Sequence, residues 1–320
     1  MIKAILLSFL FVAGPATVDA LADTVGTTMQ KNARVVDVMP DLWAFVEGGK
    51  AAPREQRRAL YARFLTNRHP AVFTEAVIGR GDVELYYDML GPLLTRMRDV
   101  HEQLPGLVER GLGTLRAALL DFQTPDVYFT PSLLNFDGRQ RTVDGRTAVL
   151  FGIDTIAHVH PPGRSREPLI LHELFHAHHE FNGDGTVIRT LWIEGLATYA
   201  SHVLAPDARA ADVLLSDELA AVDDAKLAAM AKETLRYLDS RDHNVLARFF
   251  RNDDLPDRQA AWPRRFGYLV GYNVAARLGR HKNLQQLTAL TPAEADGPIR
   301  AALRALARRG GDSSNRRPRL

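Results

Sequence analysis

Residues 172–176 read His172-Glu173-Leu174-Phe175-His176, and the spacing of these five residues decides how the rest of the chain is read. On an α-helix, positions four apart lie about one turn apart on the same face. His172 and His176 can therefore direct two imidazole nitrogens at one ion, at the ~2.0–2.1 Å that zinc takes. Glu173 is turned roughly 100° from His172, a poor place for a third ligand and a good one for reaching a water beside the ion. The flanks support a helix. Ser165 is the expected N-cap, and Pro168 falls in the first turn, where a missing N–H costs nothing. Leu169, Ile170, Leu171, Leu174 and Phe175 supply apolar surface, and Asn182-Gly183 supply the stop.

Two ligands and one general base are the division of labour of a zinc hydrolase. A catalytic zinc usually takes a third protein ligand and leaves one position to water. One known continuation places Gly three residues after the second His and another His three later. Those places hold His179 and Asn182, so that route is closed, although His179 falls near the ligand face and could substitute for a neighbour. The other continuation draws a Glu from the next helix, and Leu191-Trp192-Ile193-Glu194-Gly195-Leu196-Ala197-Thr198-Tyr199 fits it. Thr186 can cap a helix running to about Leu204, before Pro206, and Gly183 to Gly185 reverse the chain. An antiparallel return then sets Glu194 beside His172 and His176.

With these residues the chain resembles the gluzincin metallopeptidases. It is similar to thermolysin, to the zinc aminopeptidases and most of all to small bacterial predicted zinc-dependent proteases. The resemblance rests on His172, Glu173, His176 and Glu194 in the setting Trp192-x-Glu194-Gly195-x-Ala197, and extends over about Asp126 to Gly279. It implies a zincin-like domain, a catalytic Zn2+ on His172, His176 and Glu194, peptide-bond hydrolysis, and Glu173 as general base. It also implies an oxyanion donor, Tyr or His, on a later helix. Tyr268 is the first choice and Tyr272 the second, with Tyr199 and His202 behind them. An edge strand that pairs with extended substrate is expected too. Ala148 to Gly152 suit that role, with plain hairpin core an equal reading. One position departs from the pattern. Thermolysin-like enzymes carry, four residues after the third ligand, an Asp that supports the first His; here it is Thr198. The competing class is a non-enzymatic zinc-binding or protein-interaction domain that keeps the two helices. Structural zinc sites are usually closed and cysteine-rich, and the retained Glu173 speaks for catalysis.

Composition sets outer bounds. The 320 residues are 46% hydrophobic and 24% charged, as in ordinary soluble proteins. A net charge of +2, with no basic stripe interleaved with aromatics and no Gly-rich phosphate loop, points away from a nucleic-acid partner. There is no cysteine, hence no disulfide, thiolate ligand or lipid-anchor site. Met1-Ile2-Lys3 and the apolar run Ala4 to Ala13 read as a secretory signal too short to span a bilayer, with a small-residue cleavage site at Ala20-Leu21-Ala22. A periplasmic or extracellular protein with no stable membrane span after cleavage is therefore expected. Its partner is a peptide or protein substrate; the oligomeric state is left open.

The expected organisation is a signal peptide at 1–22, a helical region at 23–124, the zincin-like domain at 125–306 and a disordered basic tail at 307–320. The fold class is α+β, mainly helical, with a small sheet before the metal helix. Helical stripes run through Val35 to Val46, Leu60 to Leu65 and Val83 to Val100. Val127 to Phe129 and Thr147 to Ile153 read as strands, and Asp144-Gly145 as a tight hairpin turn. If His158-Val159-His160 is extended, both histidines share one side, as a loop beside the cleft or, less simply, a second metal site. Helices are expected at Ala208 to Leu219 and Ala225 to Leu238. A last strong helix runs from Phe266 to about Leu278, with Tyr268, Gly271, Tyr272 and Ala275 on one closely packed face.

Overall fold

The computed structural model describes residues 34–79, 81–179, 184–251 and 262–308. The signal peptide, the Asn182-Gly183 stop and the tail from residue 309 lie outside them. The architecture is α+β and mostly helical, with one four-stranded sheet among the described residues.

The strands are β1 (Val35–Asp37), β2 (Asp126–Thr130), β3 (Gly138–Val143) and β4 (Arg146–Gly152), in the spatial order β1-β2-β4-β3. β1 pairs parallel with β2 and β2 parallel with β4, whereas β3 runs antiparallel to β4. All five residues of β2 are buried, as suits an interior parallel strand. Asp144 (φ 51°) and Gly145 (φ 73°) both take the left-handed conformation that a two-residue hairpin of matching twist requires. Because β4 has a neighbour on each side, its backbone groups are committed to the ladder. The substrate-pairing role considered for Ala148 to Gly152 is therefore excluded, and among the described residues the edge strand on that side is β3. Val127, Phe129, Val149 and Phe151 face the main core; Tyr128, Ala148 and Leu150 face a smaller one with Val72, Val77, Ile78 and Phe136.

The helices are α1 (Met39–Lys50), α2 (Arg57–Tyr61), α3 (Val83–Leu90), α4 (Leu94–Ala118), α5 (Ile153–Val159), α6 (Glu167–His176) and α7 (Val187–Leu204). They continue as α8 (Ala210–Val213), α9 (Asp217–Ala220), α10 (Asp224–Tyr237), α11 (His243–Phe250), α12 (Phe266–Leu278), α13 (Leu284–Thr288) and α14 (Pro292–Arg308). Several expectations need correction. Val35 to Asp37 belong to a strand, because two β-branched residues find a parallel partner in β2 before Pro40 opens α1. The stripe at 83–100 is broken by Gly91-Pro92 into α3 and α4. The helix expected over Ala208 to Leu219 is cut at Leu215 (φ 51°), where the buried Arg164 guanidinium takes the Ala211 carbonyl at 2.7 Å and Asp217 at 2.6 Å. His158 lies in α5 and is not extended. α12 is not the last helix: α14 follows and includes residues 307 and 308.

Three neighbouring elements position α6. α6 lies between α4, α7 and β3. A Cβ on Gly111 of α4 would stand 3.2 Å from Ile170 and Leu174, so α4 approaches α6 closely. α7 and α12 cross where Gly195 meets Gly271: a Cβ on Gly195 would lie 2.3 Å from the Gly271 carbonyl carbon. No helix among the described residues is long and apolar enough to cross a membrane.

Candidate metal centre

α6 begins one residue later than expected. Arg166 occupies the N-cap, while Ser165 Oγ accepts a weak bond from the Glu167 N–H at 3.4 Å. Pro168 sits in the first turn, and Leu169, Ile170, Leu171, Leu174 and Phe175 are all buried, which leaves the polar side of the helix to His172, Glu173 and His176. On α7 the Thr186 hydroxyl caps the helix by accepting from the Arg189 N–H at 3.4 Å. Glu194 stands two turns in.

The two helices bring His172, His176 and Glu194 together. Nε2 of His172 lies 3.0 Å from Nε2 of His176, and each is 3.4 Å from Oε2 of Glu194. Donors at ~2.0–2.1 Å from one tetrahedral zinc stand roughly 3.3–3.4 Å apart. The Glu194 separations are long for N–H···O bonds but equal the edges of that tetrahedron. The donor set, two imidazoles and a carboxylate, suits zinc with one position left over. His172 is buried, and the side chains of His176 and Glu194 are 11% and 19% exposed. Burial pushes the Glu194 carboxyl upward, but the charges and hydrogen bonds of His176 and His172 prevail and hold it well below the usual range. The ligand oxygen is anionic as a result. Burial, with His176 nearby, pushes His172 down toward the neutral form that ligates.

Glu173 points past the ligands toward the start of β3. Burial first, then the charges of Asp137 and Glu194, push its carboxyl up to about 8, against the pull of His176 and Arg265. It fits there only because the facing residue is Gly138: a Cβ at that position would lie 2.1 Å from Glu173 Cγ, 2.3 Å from Cδ and 2.7 Å from Oε2. The neighbouring Asp137 bonds through Oδ2 to Nε2 of His160 at 3.0 Å. Although burial pushes it up, His160 and Arg265 hold Asp137 low.

α12 supplies the remaining wall. The Tyr268 ring lies 6.1 Å from that of His172, and the Arg265 guanidinium sits 4.1 Å from the centre of the Tyr268 ring. Burial and the Glu194 and Glu173 charges push the Tyr268 phenol up, so it stays a proton donor. Tyr272 is turned elsewhere: its hydroxyl is 2.8 Å from Nδ1 of His202, and its ring lies 6.2 Å from that of Tyr199. The structure thus puts Tyr268 at the metal group and gathers Tyr272, Tyr199 and His202 into a cluster of their own. His179 is buried against Phe175, ring centres 5.5 Å apart, and lies outside the ligand group; burial pushes it down to about 3. Thr198 turns its hydroxyl to the Glu194 carbonyl at 2.7 Å.

Four residues at the site escape a reading of the sequence alone. Asp137-Gly138 has the form of a turn signal, and its value as a close approach to Glu173 shows only in three dimensions. His160 is buried and bonds Asp137, a partner that its place in the sequence does not announce. Arg265 has no motif around it; it sits at the N-cap of α12 with φ 58°. Comparison of the chain with protein-family models, with curated proteins and with solved structures returned no match.

Proposed function

We propose that the chain is a zinc-dependent peptidase of gluzincin type, built on a zincin-like domain and exported to the periplasm or beyond the cell, where it hydrolyses peptide or protein substrates. The observation that carries this reading is the convergence of His172, His176 and Glu194, with Glu194 at the edge length of a zinc tetrahedron from each histidine and the histidines 3.0 Å apart, and with Glu173 beside them and outside the ligand set. A zinc ion held by the three residues would polarise the scissile carbonyl and acidify the attacking water. Glu173, whose carboxyl the charge of such an ion would draw back down to the carboxylate, takes the water's proton and passes it to the leaving amine. Its half-buried place behind Gly138 fixes the carboxylate and limits competing solvent. Tyr268, kept protonated and braced by Arg265, donates to the oxyanion of the tetrahedral state. β3, the edge strand among the described residues, starts at Gly138, next to Glu173, and would offer backbone groups along which extended substrate can lie. Export rests on the charged start, the short apolar run and the Ala20-Leu21-Ala22 site.

The test is metal analysis alongside turnover of an unstructured protein substrate. The expected result is about one zinc per chain, cleavage abolished by a chelator and restored by added zinc. Cleavage that persists in metal-free protein would refute the metal mechanism. Zinc bound at that stoichiometry without any turnover would favour the non-enzymatic class.

A further inference from the structure

The two ends of α5 hold the segment that brings Gly138 to Glu173. At its start, the buried Asp154 carboxylate accepts from the Ser132 N–H and the Ser132 hydroxyl, both at 2.9 Å, and from the Leu134 N–H at 3.0 Å. Leu133 (φ 56°) and Leu134 (φ 59°) both take the left-handed conformation that residues with a Cβ avoid, and these bonds fix it. At the other end His160 follows the last turn. Its N–H donates to the Ile156 carbonyl at 3.1 Å, and its carbonyl accepts from Nη2 of Arg96 on α4 at 2.7 Å. The backbone of His160 is thus tied to two helices, and its buried ring reaches back to Asp137, Nε2 to Oδ2 at 3.0 Å.

Asp137 passes this hold on to the base. Its Oδ1 accepts from the Gly138 N–H at 3.0 Å, and its carbonyl accepts from the Gly152 N–H at 2.9 Å. Gly138 in turn lies against Glu173, close enough that a Cβ there would stand 2.1 Å from Glu173 Cγ. Two residues therefore connect the His160 ring to the Glu173 side chain. A second cation faces the same carboxylate. Burial pushes Asp137 up, but His160 and then Arg265 outweigh it and keep the group anionic. Without the imidazole, the Asp137 carboxylate is left with Arg265 of the α12 N-cap as its counter-charge and is drawn toward it. The Gly138 N–H is bonded to that carboxylate and follows it, which changes the wall against which Glu173 rests.

We propose that His160 is a positioning residue for the general base: by holding Asp137 it keeps Gly138 against Glu173, and so keeps Glu173 at the metal group. This rests on the peptidase reading, and the experiment separates the two. His160→Ala removes the imidazole, whereas His160→Gln keeps a side-chain nitrogen at the reach of Nε2. In His160→Ala, kcat on a fluorogenic peptide should fall about 10²-fold, as misplacing a reacting group by ~1 Å does. KM and zinc content should hardly change, the pattern of an interaction that serves the transition state alone. His160→Gln should recover most of the loss. On a Glu173→Gln background His160→Ala should slow turnover no further, because no base is left to position; a merely structural role would slow both backgrounds alike. Crystal structures of the same variants give a readout that needs no turnover. The Glu173 carboxylate should hold one place in the wild-type and His160→Gln proteins, and should be displaced by ~1 Å or split between rotamers in His160→Ala. His160→Leu, which keeps bulk without the nitrogen, replaces the Ala variant if that does not fold. An unmoved Glu173 in a folded protein lacking the imidazole overturns the inference. So do equal slowing of both backgrounds, loss of zinc along with activity, and unfolding of both the Ala and Leu variants; the peptidase reading stands in each case. If the wild-type protein cleaves no peptide, the peptidase reading fails and the crystal structures alone decide: a displaced Glu173 sustains the role of His160, and an unmoved one ends it.

Discussion

Gly138→Ala is the perturbation that tests the site most directly. The added methyl would sit 2.1 Å from Cγ and 2.7 Å from Oε2 of Glu173, against an ordinary carbon contact of about 3.5 Å. Something must yield by more than 1 Å. β3 is held in register with β4 along its whole length, and α6 is held by its buried apolar face. The Glu173 side chain is the softest of the three and should swing away, at a conformational cost of about 0.5–1.5 kcal/mol. The three atoms nearest the new methyl all belong to Glu173, so zinc should stay near one per chain and the melting temperature should fall by only a few degrees. Turnover should fall by about 10²-fold, since misplacing a reacting group by ~1 Å has that order of effect. Zinc analysis, thermal unfolding and kcat/KM on a fluorogenic peptide measure the three quantities. Gly113→Ala is the control: nothing lies within 4 Å of its added methyl, and Ala suits a helix interior better than Gly. Zinc retained with wild-type turnover in Gly138→Ala would refute the assignment of Glu173 as a base fixed by this contact. Loss of zinc would show that β3 holds the ligands as well.

Four other outcomes follow from the same geometry. Glu173→Gln should keep zinc yet lower turnover by ~10²–10⁴, as loss of a general base does, whereas His172→Ala, His176→Ala and Glu194→Ala should each lower zinc content and activity together; zinc loss in Glu173→Gln would make that residue a ligand or a prop. Tyr268→Phe should slow turnover by about 10²-fold with zinc unchanged, while Tyr272→Phe, which loses its bond to His202, should cost ~0.5–1.5 kcal/mol of stability and little rate; the reverse pattern would move the donor role to Tyr272. Gly271→Ala sets a methyl 2.5 Å from the Leu191 carbonyl oxygen and should lower stability by about 1–3 kcal/mol in thermal melts; an unchanged melt would mean that α7 and α12 part easily. N-terminal sequencing of the exported protein should start near Leu21 or Asp23, and an intact Met1 there would count against the signal reading.

The convergence of His172, His176 and Glu194 was legible in the sequence. His172 and His176 are tied by helical period, and Glu194 by the length of chain needed for a turn and half a helix. Asp144-Gly145 announces its hairpin because few residue pairs tolerate two left-handed conformations in a row. The boundaries that failed did so for non-local reasons. Val35 to Asp37 have no signal of their own that distinguishes a short strand from a helical stripe; β2, some ninety residues on, decides it. The break at Leu215 depends on Arg164, nearly fifty residues earlier and just before α6, claiming the Ala211 carbonyl. The edge position of β3 could not be read either, because strand order is a property of the sheet and not of any one strand. Arg265 was invisible for a related reason. A lone arginine carries no spacing, and its importance lies in the carboxylates and the phenol that folding brings around it.

The departure at Thr198 has a physical counterpart elsewhere in the fold. Where a carboxylate would hold the first histidine through its ring, this chain offers a hydroxyl that bonds the Glu194 carbonyl and so stiffens the ligand's own backbone. Immediately after Glu194 in sequence, Gly195 lies in contact with Gly271, three residues from Tyr268, so the helices that carry Glu194 and Tyr268 are set against each other backbone to backbone. On the other side Gly111 lets α4 press against Ile170 and Leu174, which flank His172. Gly138 then limits where Glu173 can point. Positions fixed by packed backbone are less adjustable than positions fixed by a side-chain hydrogen bond, since a core leaves little free volume for relaxation. In this protein the sensitivity that such sites usually show at a supporting carboxylate should therefore have moved to small residues: a methyl group added at Gly138, Gly195 or Gly271 should harm the site more than loss of the Thr198 hydroxyl.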